Sequence, residues 1–231
     1  MSQTSRVIVA LDYASQNDAL ALVQQLDPTQ CKLKVGKELF AVAGPGLVEL
    51  LVKQGFDVFL DLKYHDIPNT VAMACKAAAN LGVWMVNVHT LGGPKMIAAA
   101  KDAIVGCTHQ PLLTAVTILT SFDQEQLNAI GLTGSIQDNV LRLAQLAEKS
   151  GADGVVCSAQ EATLLRQKTA KDFCLVTPGI RPAGASMDDQ KRIMTPQQAI
   201  AAGSDYLVIG RPITQAVDPL AALIAINQSL S

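Results

Sequence analysis

Residues 58–70 read VFLDLKYHDIPNT, an apolar run of Val58, Phe59 and Leu60 that breaks at once into Asp61, Lys63 and Asp66. A buried strand has no reason to end in charges unless they have partners or work to do, because an unpaired buried charge is costly. Side chains alternate along a strand, so Asp61 and Lys63, at i and i+2, are expected on one side, with Asp66 in the loop before Ile67 and Pro68. The expectation is a fixed Asp/Lys pair with a second carboxylate close by. Taken alone, the stretch also suits an ordinary surface ion pair at a strand end, and the rest of the chain has to choose between the two.

Similar short apolar runs recur at 7–11, 31–35, 85–89, 112–119, 154–157, 174–177 and 206–209, which with 58–62 makes eight strand candidates. Between them lie segments with helical periodicity, such as Ala19, Leu22, Val23 and Leu26, then Leu47, Leu50 and Leu51, and later Val140, Leu143, Ala144 and Ala147. Thr195-Pro196 reads as a helix start, and Gly82, Gly151 and Gly203 as helix ends. Alternation of near-continuous apolar strands with helices means a parallel sheet, and eight such units predict a closed (β/α)8 TIM barrel, with an open doubly wound sheet as the alternative. The 231 residues suit one barrel domain, since no linker, charge block or low-complexity tract divides them.

Bulk properties narrow the function classes. A net charge of −2 gives no general attraction for nucleic acid or an anionic membrane, so an anionic ligand needs a local set of basic residues. The start MSQTSR leads straight into an apolar run, and no stretch of 18 apolar residues occurs, so a cytoplasmic protein without a membrane segment is expected. Five widely spaced cysteines, Cys31, Cys75, Cys107, Cys157 and Cys174, contain no C-x-x-C pair, which predicts buried thiols rather than disulfides or zinc ligands. His65, His89 and His109 lack metal-ligand spacing.

A barrel demands polar residues at the C-terminal ends of its strands, and they are there. The first strand ends at Asp12, the second carries Lys34, the third Asp61 and Lys63, and the fifth runs into Thr120 and Ser121. The seventh ends in Pro178, Gly179, Ile180 and Arg181, and the eighth in Gly210 and Arg211, where barrels commonly hold phosphate. Neighbouring strands lie about 4.8 Å apart, so Asp12, Lys34, Asp61 and Lys63 form one array of alternating charge. Flanking carboxylates favour the charged form of each lysine, which suits acid catalysis better than imine formation. The polar segment 181–193, RPAGASMDDQKRI, reads as a lid or as a solvated loop. His89 reads as a site-lining or a barrel residue, Trp84 as packing in the core or at a subunit contact, and Ser158 as a strand-end residue without a partner base.

DLKYHDIPNT resembles the signature of the orotidine 5′-phosphate decarboxylase family, and VALDY, LKVGKELF, VTILTS, VTPGIRP and VIGRPIT resemble that family's other strand-end segments in the same order. The D-x-K-x-x-D core is shared with a wider superfamily of phosphosugar lyases and synthases, whereas the I-P-N-T extension is not. The resemblance implies a catalytic array of Lys34, Asp61, Lys63 and Asp66, the last reaching across from the partner subunit of a homodimer. It also implies ribose contacts from Asp12 and Thr70, a pyrimidine contact from Thr120, and phosphate contacts from Arg181, Gln190, Gly210 and Arg211. The implied reaction takes orotidine 5′-monophosphate to UMP without metal or organic cofactor. Two other functions stay in view: a Mg²⁺-dependent phosphosugar decarboxylase or aldolase of the same superfamily, and a non-catalytic nucleotide-binding barrel.

Overall fold

Strand-to-strand alternation sorts the apolar residues of this chain into two layers, and that sorting closes the sheet. In the computed structural model, which describes residues 5–182 and 194–230, eight parallel strands pair each with the next and the last with the first. They are β1 (Val7–Leu11), β2 (Lys32–Gly36), β3 (Val58–Tyr64), β4 (Met85–His89), β5 (Leu112–Val116), β6 (Gly154–Val156), β7 (Cys174–Thr177) and β8 (Tyr206–Ile209). Val7, Val9, Leu11, Leu33, Val35, Val58 and Leu60 face outward into the main core beneath the helices. Their alternates Ile8, Ala10, Phe59, Met85, Cys174, Val176 and Val208 form a smaller cluster inside the barrel. This is the (β/α)8 arrangement, with the barrel interior filled rather than hollow.

The surrounding helices are α1 (Gln16–Val23), α2 (Lys37–Lys53), α3 (Pro68–Asn80), α4 (Pro94–Val105), α5 (Gln124–Ala129), α6 (Ile136–Lys149), α7 (Ala162–Arg166), α8 (Pro196–Ala201), α9 (Arg211–Thr214) and α10 (Pro219–Gln228). Val140, Leu143, Ala144 and Ala147 all face inward from α6, as their spacing predicts, and Ser135 with Asp138 forms a capping box at its start. Thr195 caps α8 in the same way. Among the described residues, no helix is long and apolar enough to cross a membrane.

Strand boundaries depart from expectation in two informative places. β3 continues past Leu62 to Tyr64, and it does so through an irregularity in its pairing with β4. β5 stops at Val116 instead of Leu119, opposite Val156, where β6 also ends. Thr117 is still tied to β6, its N–H and Oγ1 both donating to the Val156 carbonyl at 3.3 Å. Residues 118–120 follow the end of β5 and line the barrel mouth.

The N-terminal end of the barrel is closed by Lys32, whose Nζ lies 4.5 Å from the centre of the Trp84 ring and pairs with Asp57. Trp84 meets Tyr206 edge to face at 4.9 Å between ring centres. Trp84 is thus barrel packing. Four of the cysteines are buried and Cys107 is half-buried; no disulfide joins them. Burial pushes the thiols of Cys31, Cys75 and Cys174 up to about 12, so they stay protonated.

Barrel closure depends on a glycine. A Cβ at Gly154 would lie 2.3 Å from the carbonyl oxygen of Cys174 and 2.6 Å from its Cβ, across the β6–β7 pair. Gly154→Ala is expected to lower stability by about 1–3 kcal/mol, the usual range for overpacking. Thermal or urea unfolding of the two proteins measures this, and an unchanged midpoint would mean that the two strands part without cost.

Candidate active site

The charged strand ends meet at the C-terminal mouth of the barrel. Asp12 Oδ1 accepts from Lys34 Nζ at 2.9 Å, Lys34 Nζ lies 3.6 Å from Asp61 Oδ2, and Lys63 Nζ donates to Asp61 Oδ1 at 2.6 Å. The four residues thus alternate in charge along three strand ends. The side chains of Lys34 and Asp61 are nearly buried, at 10% and 12% exposure, whereas Asp12 is 68% exposed. Asp61 is thus enclosed between two ammonium groups, whose attraction offsets part of the hydration lost on burial.

Local sequence explains the placement. β2 pairs with β1 through Ala10↔Lys34 and with β3 through Gly36↔Asp61, so a small residue flanks Lys34 on one side and the Asp61 backbone sits just above it on the other. A Cβ on Gly36 would come within 3.2 Å of Lys34 Nζ and 3.6 Å of Asp12 Oδ1, so glycine leaves room for that ion pair. Lys63 arrives by a route that alternation alone does not foresee. Among the described residues it is the one non-glycine with positive φ, 52°, in a conformation that costs about 1–3 kcal/mol and is kept where surroundings enforce it. Asn87, fully buried on β4, accepts from the Lys63 N–H and donates to Asp61 Oδ1, each at 2.7 Å. Asn87 escaped the sequence reading, although a polar residue amid the apolar run of β4 was a visible signal.

Beside this array opens a cavity of about 180 Å³, lined by Lys34, Asp61, Lys63, Thr120, Pro178 and Val208, among others. Thr120 reaches it because β5 ends early. Gly210 stands at the end of β8 close to Asp12, with Arg211 next to it at the start of α9. Arg181 is buried at the end of β7, its N–H donating to the Met194 carbonyl. Gln190 and most of the expected lid lie outside the described residues. Asp66 and Thr70 are exposed, and the Asp66 carboxylate accepts from the Ile67 N–H at 2.6 Å rather than joining its own chain's array. A larger hollow of about 510 Å³ lies at the opposite, N-terminal face. Its Asp153 and Asp205 are engaged by Lys101 and Arg166 and hold the N–H groups of Leu113 and Leu175, so these two carboxylates serve the scaffold.

The other candidates sort themselves. His89 stacks on His65 at 5.6 Å between ring centres, and burial first, then His65, Lys37 and Lys63, push its pKa down to about 4, so it is neutral near pH 7. His109 bonds the Val83 carbonyl, and Ser158 caps the turn at Ala159–Glu161 by accepting from the Gln160 N–H. Neither touches the cavity's lining residues through those bonds.

Comparisons with known proteins bear on the same residues. The family model for orotidine 5′-phosphate decarboxylase / HUMPS matches residues 5–226. The orotidine 5′-phosphate decarboxylase of Hydrogenovibrio crunogenus is 66% identical over 225 residues, covering 97% of this chain and 95% of the relative. That of Nitrosococcus oceani is 60% identical over 229 residues, covering 99% of both. The crystal structure of orotidine 5′-phosphate decarboxylase from Lactobacillus acidophilus superposes with a TM-score of 0.89 at 42% identity, over 98% of this chain and 99% of that one. The barrel, the array at its mouth and these full-length similarities together place the chain in the orotidine 5′-phosphate decarboxylase / HUMPS family.

Proposed function

We propose that this chain decarboxylates orotidine 5′-monophosphate to UMP in pyrimidine synthesis, without a cofactor, as a cytoplasmic homodimer. The observation that carries the reading is the Asp12–Lys34–Asp61–Lys63 array beside a cavity at the barrel mouth, in a member of this family. Breaking the bond from C6 to the carboxylate leaves its electron pair in the plane of the pyrimidine ring, outside the π system. A protein group has to meet that charge. Lys63, held as an ammonium against Asp61, stabilises the developing carbanion and passes a proton to C6, leaving UMP, CO2 and a neutral amine.

In this reading Asp61 faces the approaching substrate carboxylate. Two unit charges 4 Å apart at an effective dielectric of 20 repel by about 4 kcal/mol, and departure of CO2 relieves this. Enzymes typically lower barriers by about 8–23 kcal/mol, so the larger share falls to the preorganised Lys63. Asp12 and Thr70 are assigned to the ribose, Thr120 to the pyrimidine amide, and Arg181, Gln190, Gly210 and Arg211 to the phosphate, whose binding supplies energy remote from the reacting bond. The metal-dependent alternative fits less well. One Asp61 oxygen already accepts from Lys63 and Asn87 and the other faces Lys34, so a Mg²⁺ ion would have to displace ammonium groups from it.

The homodimer is supported by what lies around Asp66. Ile67 and Met73 expose 66% and 51% of their surface at the start of α3, beside the exposed Asp66 and Thr70. A second subunit covering these apolar groups would bring Asp66 to a neighbouring site, completing the array with a second carboxylate beside Lys63.

Two experiments test this. Purified protein is expected to convert orotidine 5′-monophosphate to UMP at an undiminished rate in EDTA, and Lys63→Ala to lower kcat/KM by at least about a thousandfold. No turnover by the parent would overturn the reading, UMP binding without turnover would favour a non-catalytic barrel, and loss of activity in chelator would favour the metal-dependent one. Secondly, Lys63→Ala and Asp66→Ala should each be nearly inactive, whereas subunits of the two variants mixed and allowed to exchange should regain about a quarter of parental activity. That fraction follows because half of the randomly assorted dimers carry one intact site built from both chains. A mixture that stays inactive would place Asp66 in its own subunit's site, and an active Asp66→Ala would place it in none.

A further inference from the structure

Lys63 owes its position to a residue on the neighbouring strand. β3 and β4 are in register at Phe59↔Met85 and Leu60↔Val86, and pairing resumes at Tyr64↔Val88. Asp61, Leu62 and Lys63 therefore stand opposite Asn87 alone, an insertion of two residues into one strand of the pair. In a regular ladder main-chain groups of β4 would serve this stretch of β3; where the register slips, the Asn87 carboxamide takes their place. Its Oδ1 accepts from the Lys63 N–H at 2.7 Å, and its Nδ2 donates to Asp61 Oδ1 at 2.7 Å. The same Asp61 oxygen accepts from Lys63 Nζ at 2.6 Å, which closes a ring through Asn87, the Lys63 main chain, the Lys63 ammonium and Asp61.

The ring needs an amide. One side-chain terminus must present an acceptor to an N–H and a donor to a carboxylate, side by side, inside a wholly buried position. An aspartate would set a second carboxylate oxygen against Asp61, and an apolar residue would leave a buried N–H and a buried carboxylate oxygen each short of a partner. With two donors on Asp61 Oδ1, the carboxylate is turned so that Oδ2 faces Lys34 at 3.6 Å. We infer that Asn87 is a positioning residue for the decarboxylation: its amide holds the Lys63 backbone at positive φ and orients Asp61, so that the ammonium is already aimed when substrate arrives. The kinetic consequence rests on the decarboxylase reading; the clamp itself rests only on the geometry.

The experiment measures kcat, UMP affinity and hydrogen exchange at the Lys63 amide, read by NMR, in the parent, Asn87→Ala and Asn87→Asp. Asn87→Ala is expected to lower kcat about a hundredfold, the scale of an ångström-level misplacement of a reacting group. UMP affinity should stay within about threefold of the parent's, since Asn87 acts through groups whose charge matters most in the transition state, and retained affinity also certifies a folded barrel. Exchange at the Lys63 amide should quicken at least about tenfold as its acceptor is lost. Asn87→Asp, almost the same shape, keeps an acceptor for that amide; its exchange should stay slow while kcat falls as far, because only the donor to Asp61 is gone. Any of three outcomes overturns the inference: kcat of Asn87→Ala within threefold of the parent's, UMP affinity falling in step with kcat, or unchanged exchange at Lys63. A parent without turnover sinks the decarboxylase reading instead, and the exchange comparison still decides whether the clamp exists.

Discussion

A single carboxylate sets the terms for the mouth of this barrel. Asp61 is nearly buried at a strand end, and a bare charge there would cost several kcal/mol in lost hydration. It is kept by three groups drawn from three strands: Lys34 of β2, Lys63 of its own β3, and Asn87 of β4. Each of those groups is in turn constrained. Lys34 is shared with Asp12 in a space that Gly36 leaves open, and Lys63 sits in a backbone conformation that a lysine adopts only under compulsion. The array is therefore a property of the strand pairing, because the register of β1, β2, β3 and β4 brings these groups within reach of one another.

That dependence decides what could be read from the amino-acid sequence. The barrel was legible because β-branched and leucine-rich runs recur at regular intervals, and a parallel strand buried on both faces has no other composition to adopt. The charged strand ends were legible for the complementary reason: Asp12, Lys34, Asp61 and Lys63 interrupt apolar runs, and only strand ends tolerate that. Other features were not. Period-two alternation places Asp61 and Lys63 on one side, and they do meet, but through a two-residue slip and a left-handed Lys63 that no local pattern announces. Asn87 matters through a partner 24 residues away in sequence, which a strand-by-strand reading does not see. Thr120 comes to the cavity past the point where β5 and β6 end together, which the apolar run 112–119 does not announce. Asp66 is the extreme case, since its exposed carboxylate accepts from the Ile67 N–H and stays outside its own chain's array, and no pattern along the strands says what else it meets.

The two ends of the barrel spend their charges differently, and the difference separates a site from a scaffold. At the N-terminal end Lys32 is packed against Trp84 and Tyr206, while Asp153 pairs with Lys101, Asp205 pairs with Arg166 and Arg6, and each carboxylate also holds one strand N–H. Those ions have their lone pairs and protons committed to the fold, and a ligand entering the larger hollow there would find few groups to redirect. At the C-terminal end the commitments are to other members of the array. Lys63 bonds to Asp61, whose second oxygen faces Lys34, which is shared with an exposed Asp12. A substrate charge developing nearby can draw on such a chain without breaking any strand pairing, because the backbone bonds beneath it are made by other atoms. Strain is stored at Lys63, in the layer that faces the cavity, and the pairing of β3 with β4 below Leu60 stays regular. The barrel can thus hold one residue in an unfavourable conformation at its mouth, since eight closed strands fix the frame that the Asn87 amide braces it against.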